Sequence, residues 1–306
     1  MKYFRLSIVV ILAVVLYSTA TPAEDGTATL STVFPGISSG ALSMATMGEL
    51  PEGVVLKSGS VEVTAEELKA EIANAPAETQ KQLKKNKLYV LENMATPKLL
   101  LAVAQASQGG PSGETSTADT ALAKYFEALT ADVEATEEEV AAFYEENKDM
   151  CGGATLTQVK DQLAQYVLEQ KKQDAVNEHI RTIGQRSPIV LAADWTQKQA
   201  KLALDNPVDK ARASGIPSIV DFGSTGCRSC AMMAPILETL KAKYAGKANV
   251  LFVHVKEEPV LSARYGIRTI PVQVFFDKGG KEVYRHNGTM SQDDIEKRLV
   301  EMGAVL

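Results

Sequence analysis

The sequence predicts two domains, a mainly α-helical N-terminal domain followed by an α/β domain with a central mixed sheet flanked by helices. Three observations carry this. The chain has 306 residues, 45% of them hydrophobic, which suffices for two cores of ordinary size. Residues 54–186 read as mainly helical, with Val159, Leu163, Tyr166, Val176, Ile180 and Ile183 mostly at three- and four-residue steps, the spacing of one helix face. After Gly215 short apolar runs alternate with helical stretches, the pattern of strands interleaved with helices. The formal charge is −6 with no basic stripe, which excludes nucleic acid as a partner.

Residues 1–23, "MKYFRLSIVVILAVVLYSTATPA", open with Lys2 and Arg5, continue through an apolar core from Leu6 to Tyr17 and end in small residues. This reads as a cleavable signal peptide, because the core is shorter than the roughly 20 residues that span a bilayer. An uncleaved inner-membrane anchor is the alternative. The expected location is a bacterial periplasm, where disulfide chemistry operates. Residues 24–52, rich in Ala, Thr, Ser and Gly without periodicity, are expected to form a flexible leader.

Residues 53–190 are assigned to the helical domain. Two β-type runs flank Ser58-Gly59, then Thr64 and Glu67 have capping-box spacing and open a helix. Pro97 predicts a kink or break, and "QGGPSGETST" (108–117) predicts a loop. Thr136 with Glu139 forms a second capping box. Gly152-Gly153 precedes a long helix carrying Val159, Leu163, Tyr166, Val176, Ile180 and Ile183, with His179 on its polar side. Residues 191–206 read as a connector, with Trp195 a packing anchor. Residues 207–306 form the second domain: strand "IPSIVDF", helix from Cys227 to Tyr244, strand "NVLFVHV", short helix "EPVLSARYG", a hairpin turning at Lys278-Gly279-Gly280, and a final helix capped by Ser291.

The segment "DFGSTGCRSCAMMAP" (221–235) holds two of the three cysteines. Three residues apart on the first turn of a helix, Cys227 and Cys230 face nearly the same way and can close a disulfide. At the helix N-terminus Cys227 gains from free backbone N–H groups and the macrodipole, which favour a thiolate, and Arg228 adds positive charge. Thiolate is the attacking species in disulfide exchange. Cys230, one turn in, suits a resolving role. Zinc would need two further ligands; Cys151, His179, His254 and His286 offer no second paired spacing, and none of the histidines is assigned chemistry. A purely structural disulfide is the other alternative, though so small a loop restricts the unfolded chain little.

"VDF" before the pair, "CRSCAMMAPIL" through it and "YGIRTIPVQVFFDKGGKEV" after it resemble the thioredoxin family over residues 207–303, about a third of the chain. The resemblance implies a thioredoxin fold, with Cys227 as nucleophile and Cys230 as resolving cysteine. It further implies a cis-proline at Pro271, a buried carboxylate at Asp221, a helix-kinking Pro235 and a last-strand glycine at Gly288. The sequence departs from the family at Gly226, where a Trp is usual, and at Arg228-Ser229, where Gly-Pro is usual. It also has Phe252 where a lysine normally neighbours the buried aspartate. Lacking that cation, Asp221 is expected to have a raised pKa, fitting either a proton acceptor for Cys230 or a hydrogen-bonded core group. Arg228 and Ser229 tune the pair, Arg228 towards oxidising, whereas Ile270 before Pro271 resembles reducing thioredoxins.

Residues 54–186 resemble, more weakly, the N-terminal region of SurA- and PpiC-type periplasmic foldases, through "VTAEELKAEI", "ATEEEVAAFYEENKD" and "VKDQLAQYVLEQKKQDAVNEHI". No segment remains for a parvulin domain. The resemblance implies a cradle for unfolded polypeptide; a spacer or dimerisation module is the alternative. Cys151 reads as an apolar contact, with an intermolecular disulfide or regulatory thiol as the other reading. The expected function is an exported thiol–disulfide oxidoreductase, reducing rather than oxidising, with no cofactor. Its partners would be disulfide-bonded or unfolded exported proteins and, by family analogy, a membrane electron donor of the CcdA/DsbD type. The alternative is a client-binding chaperone in which the redox domain is secondary.

Overall fold

A computed structural model describes residues 28–107 and 118–305. The expected signal peptide and the 108–117 loop lie outside the described residues. In chain order the elements are α1 (Leu30–Val33), β1 (Thr46–Gly48), β2 (Val54–Ser58), β3 (Val61–Thr64), α2 (Ala65–Asn74), α3 (Ala77–Lys85), α4 (Lys87–Ser107), α5 (Ala118–Leu129), α6 (Glu137–Glu146) and α7 (Leu156–Arg186). There follow β4 (Val190–Ala192), α8 (Ala193–Ala203), α9 (Pro207–Arg212), β5 (Ser218–Gly223), α10 (Arg228–Lys243), β6 (Asn249–His254), α11 (Pro259–Arg264), β7 (Val272–Phe276), β8 (Glu282–Asn287) and α12 (Gln292–Glu301).

Local signals set many of these boundaries. Thr64 and Thr136 each accept an N–H from the glutamate three residues on, whose carboxylate returns to the cap N–H, completing both capping boxes. Ser291 caps α12. The C-terminal domain is a sheet in the order β6-β5-β7-β8, with β6 parallel and β7 antiparallel to the central β5. One face packs Ile219, Met233, Leu240 and Phe275; the other packs Val220, Phe222, Leu261 and Val274. Burial on both faces explains why β5 and β7 read as continuous apolar runs.

The first domain is mainly helical but carries its own sheet, β1-β4-β2-β3, and here four expectations are corrected. The segment expected to be a flexible leader is ordered from residue 28: Leu30, Ile37, Ala41 and Leu42 are buried in the first core. Glu92 holds it by accepting from Ser38 Oγ at 2.5 Å and from the Leu42 N–H at 3.0 Å. These contacts are to residues far along the chain, so no local periodicity announces them. The expected connector is also structural. Leu191 pairs with β1 and β2, and α8 buries Ala200 and Ala203 in the first core, against which Trp195 packs. Of the kink or break expected at Pro97, the break is absent, since helix α4 runs through it; the proline is exposed, so water can serve the carbonyl it leaves without a donor. His179 faces inward, not outward, with Nε2 2.7 Å from the Tyr125 hydroxyl.

Candidate active site

Strand β5 is buried along its whole length and delivers the chain to a turn at Gly226, where φ is +80°. Glycine adopts that backbone readily. Cys227 then caps α10, its sulfur accepting the Cys230 N–H at 3.2 Å and lying 3.3 Å from Ser229 Oγ. The two cysteines form a disulfide with Cα atoms 5.3 Å apart. Cys227 is half-buried and Cys230 is 4% exposed, so only the first is open to a protein substrate. On reduction the Cys227 sulfur would keep the N–H donor and helix terminus that stabilise a thiolate. Arg228 is exposed and makes no ion pair among the described residues.

Asp221 is fully buried on β5, in register with Phe252 of β6 on one side and Gln273 of β7 on the other. Gln273 donates its amide to Asp221 Oδ1 at 2.6 Å, while Asp221 Oδ2 has no partner among the described residues. Burial pushes the Asp221 pKa up to about 6, against the lowering effect of the Gln273 amide. Two residues along the same strand face, Gly223 makes room for the cysteine. A Cβ there would lie 3.4 Å from Cys230 Sγ and 2.8 Å from the Phe252 ring. The expected absence of a cation at position 252 is therefore filled by an aromatic wall.

The Ile270–Pro271 peptide is cis. Pro271 leads into β7 at the end of the sheet where β5 delivers the cysteines, since Val272 pairs with Phe222. Its carbonyl accepts the Gly288 N–H at 2.8 Å. Pro235 lies inside α10. Cys151 lies outside this constellation in a 3₁₀ turn, half-buried, its thiol 3.5 Å from the Asn147 carbonyl.

Three contributors escaped the sequence reading. Gln273 could have been noticed as a lone amide inside the apolar run "VQVFF", a buried polar group that needs a partner. Gly223 gave no local signal. His254 accepts the Thr225 N–H on Nε2 at 3.0 Å and so ties the loop before Cys227 to the end of β6. A cavity of about 460 Å³ adjoins the pair, lined by Thr225, Cys227, Cys230, Ala231, Leu237 and Phe252.

The thioredoxin family model matches residues 198–301, beginning within α8. Thioredoxin 1 of Nostoc sp. (strain PCC 7120) is 35% identical over 86 residues, covering 28% of this chain and 79% of the relative. The thioredoxin of Staphylococcus aureus is 37% identical over 95 residues, covering 31% and 89% respectively. Among solved structures, chloroplastic thioredoxin z is 29% identical with a TM-score of 0.29, covering 32% of this chain and 88% of that one. Through its C-terminal α/β domain the chain belongs to the thioredoxin family of thiol–disulfide oxidoreductases.

Proposed function

We propose that the protein is exported and reduces disulfides of exported proteins, with Cys227 as nucleophile, Cys230 as resolving cysteine and Asp221 as proton acceptor. The carrying observation is the half-buried Cys227 sulfur set on the helix cap with the Cys230 N–H directed at it. The Cys227 thiolate attacks one sulfur of the client disulfide, forming a mixed disulfide and releasing one client thiolate. Cys230 gives its proton towards Asp221 and attacks Cys227 Sγ, releasing the second client thiolate and leaving the Cys227–Cys230 disulfide. Two electrons pass to the client, and a donor dithiol of the CcdA/DsbD type would restore the pair. With a pKa of about 6, Asp221 is mainly ionised at neutral pH and its unpartnered oxygen can accept a proton.

Equilibration with glutathione tests the direction. A potential near about −270 mV, typical of thioredoxin, supports a reductant, and one near about −120 mV would make the protein an oxidant. A second reading has the helical region holding unfolded clients. It rests on Tyr166, 49% exposed, in a tilted ring pair with Phe143 at 5.2 Å between α7 and α6.

A further inference from the structure

We propose that the outer edge of β6 and the groove beside it take an extended stretch of the client polypeptide as an added strand, which brings the client's disulfide to Cys227. This rests on the disulfide-reducing reading above. β6 ends the sheet, and among the described residues no strand pairs with its outer edge. The amides of Asn249 and Val255 point inward, to the carbonyls of Pro217 (2.8 Å) and Gly223 (2.9 Å). Alternate residues of a strand turn their backbone groups to opposite sides, so the N–H and C=O of Phe252 and the N–H of His254 point outward. The His254 carbonyl is taken by the amides of Glu257 and Glu258, which ends the open edge there. An extended polypeptide is the occupant whose own backbone groups match this two-residue alternation.

The edge opens onto a groove of about 690 Å³ whose far wall includes Gln82 and Lys85 of α3, Leu202 of α8 and Asn206. That wall is held in place: Gln82 Nε2 donates to the Glu257 carbonyl at 2.5 Å, and its Oε1 accepts the Val260 N–H at 3.2 Å. Lysines and acidic residues both line the groove, so the backbone rather than net charge would carry recognition. Phe252 lines both this groove and the cavity containing Cys227 and Cys230, so a chain lying along β6 reaches the cysteines without a gap. Its ring, 51% exposed, presents apolar surface to a client side chain. The groove's end is fixed to the cysteine loop by the Thr225–His254 hydrogen bond.

The test is amide hydrogen exchange on the full chain with Cys230→Ser, or Cys230→Ala should the first not fold. It is trapped through Cys227 either with a disulfide-bonded unfolded peptide or with bis(2-hydroxyethyl) disulfide, one thiol leaving in each exchange. The peptide adduct is expected to slow exchange of the Phe252 and His254 amides at least ~10-fold relative to the small adduct, equivalent to about 1.4 kcal/mol. Leu251 and Val253, already in the ladder, should not change. Slowing confined to the Thr269 and Ile270 amides, or none at Phe252, would overturn the docking edge while leaving the reducing function standing. Failure of Cys227 to form any mixed disulfide would overturn both.

Discussion

Two aspartates are buried in the C-terminal domain, and their surroundings are opposite. Asp209 on α9 lies between Arg212 Nη1 at 3.2 Å and Arg264 Nη2 at 3.1 Å, and it accepts the Tyr265 hydroxyl at 2.6 Å. Asp221 has one amide donor and one oxygen with no partner among the described residues. A buried charge that is paired and hydrogen-bonded on all sides is a structural element, whereas one with an open lone pair is available to a proton. The positions agree with this. Arg264 also reaches the Ala203 carbonyl at 3.0 Å and Asn86 Oδ1 at 3.3 Å, so the satisfied carboxylate sits where the domains join. The unsatisfied one sits on the strand that leads to the cysteines.

Asp209→Ala should have the largest effect on stability. It leaves two nearly buried guanidinium groups without their anion, a loss of about 3–5 kcal/mol when one partner of such a pair is removed. Trp195, the single tryptophan, packs on the first core, so urea unfolding followed by its fluorescence reads whether the loss crosses the domain boundary. A lowered midpoint is expected at this remote probe. An unchanged midpoint would mean that Asp209 serves its own domain alone.

Asp221→Asn should act with the opposite sign. The folded pKa of about 6 exceeds the ordinary 3.8, so the folded state binds this proton more tightly than the unfolded chain. Its contribution is fully present below the ordinary value and is lost as pH rises through about 6. At about 1.4 kcal/mol for each tenfold gain in proton affinity, this difference is worth ~3 kcal/mol. The Asn variant should therefore be the more stable protein at about pH 7.5 by up to that amount, and equal to the parent below about pH 3. It should also slow decay of the mixed disulfide in single-turnover measurements. Gln273→Leu removes the hydrogen bond that lowers the Asp221 pKa and should move the acid limb of that decay to higher pH. A variant that is less stable at neutral pH and decays normally would class Asp221 with Asp209.

The same contrast explains what was legible in the sequence. Cys227, Cys230 and the strand–helix setting around them were readable because their geometry is local: spacing along one helix turn and a cap. The capping boxes at Thr64 and Thr136 were readable for the same reason. Asp221 was placed by resemblance, but its surroundings come from strands 31 and 52 residues further on: Phe252 lies beside it on one side, and on the other Gln273 gives the amide that partly offsets the effect of burial. The ordered 28–48 segment and α8 were missed because their order comes from packing on a distant core, with Glu92 as the polar anchor. His254 was weighed only as a metal ligand, because its role, to accept one N–H across a loop, leaves no mark in the local sequence.

Arg228 carries the comparison out to the surface, and Arg228→Ala should have the smallest effect. The residue is exposed and has no ion-pair partner among the described residues, so its field on the Cys227 sulfur passes largely through water. Two unit charges about 4 Å apart in water interact by about 1 kcal/mol, and greater distance reduces this further. The N–H of Cys230 and the helix terminus remain in the variant and continue to favour the thiolate. The thiol pKa of Cys227, read from alkylation rate against pH in the reduced protein, should therefore rise by roughly half a unit or less at low ionic strength. The difference should vanish at about 1 M salt, where the screening length falls to about 3 Å. A rise of more than about one unit that survives such salt would require a close, screened-off contact, and Arg228 would then act on the cysteine as the buried arginines act on Asp209.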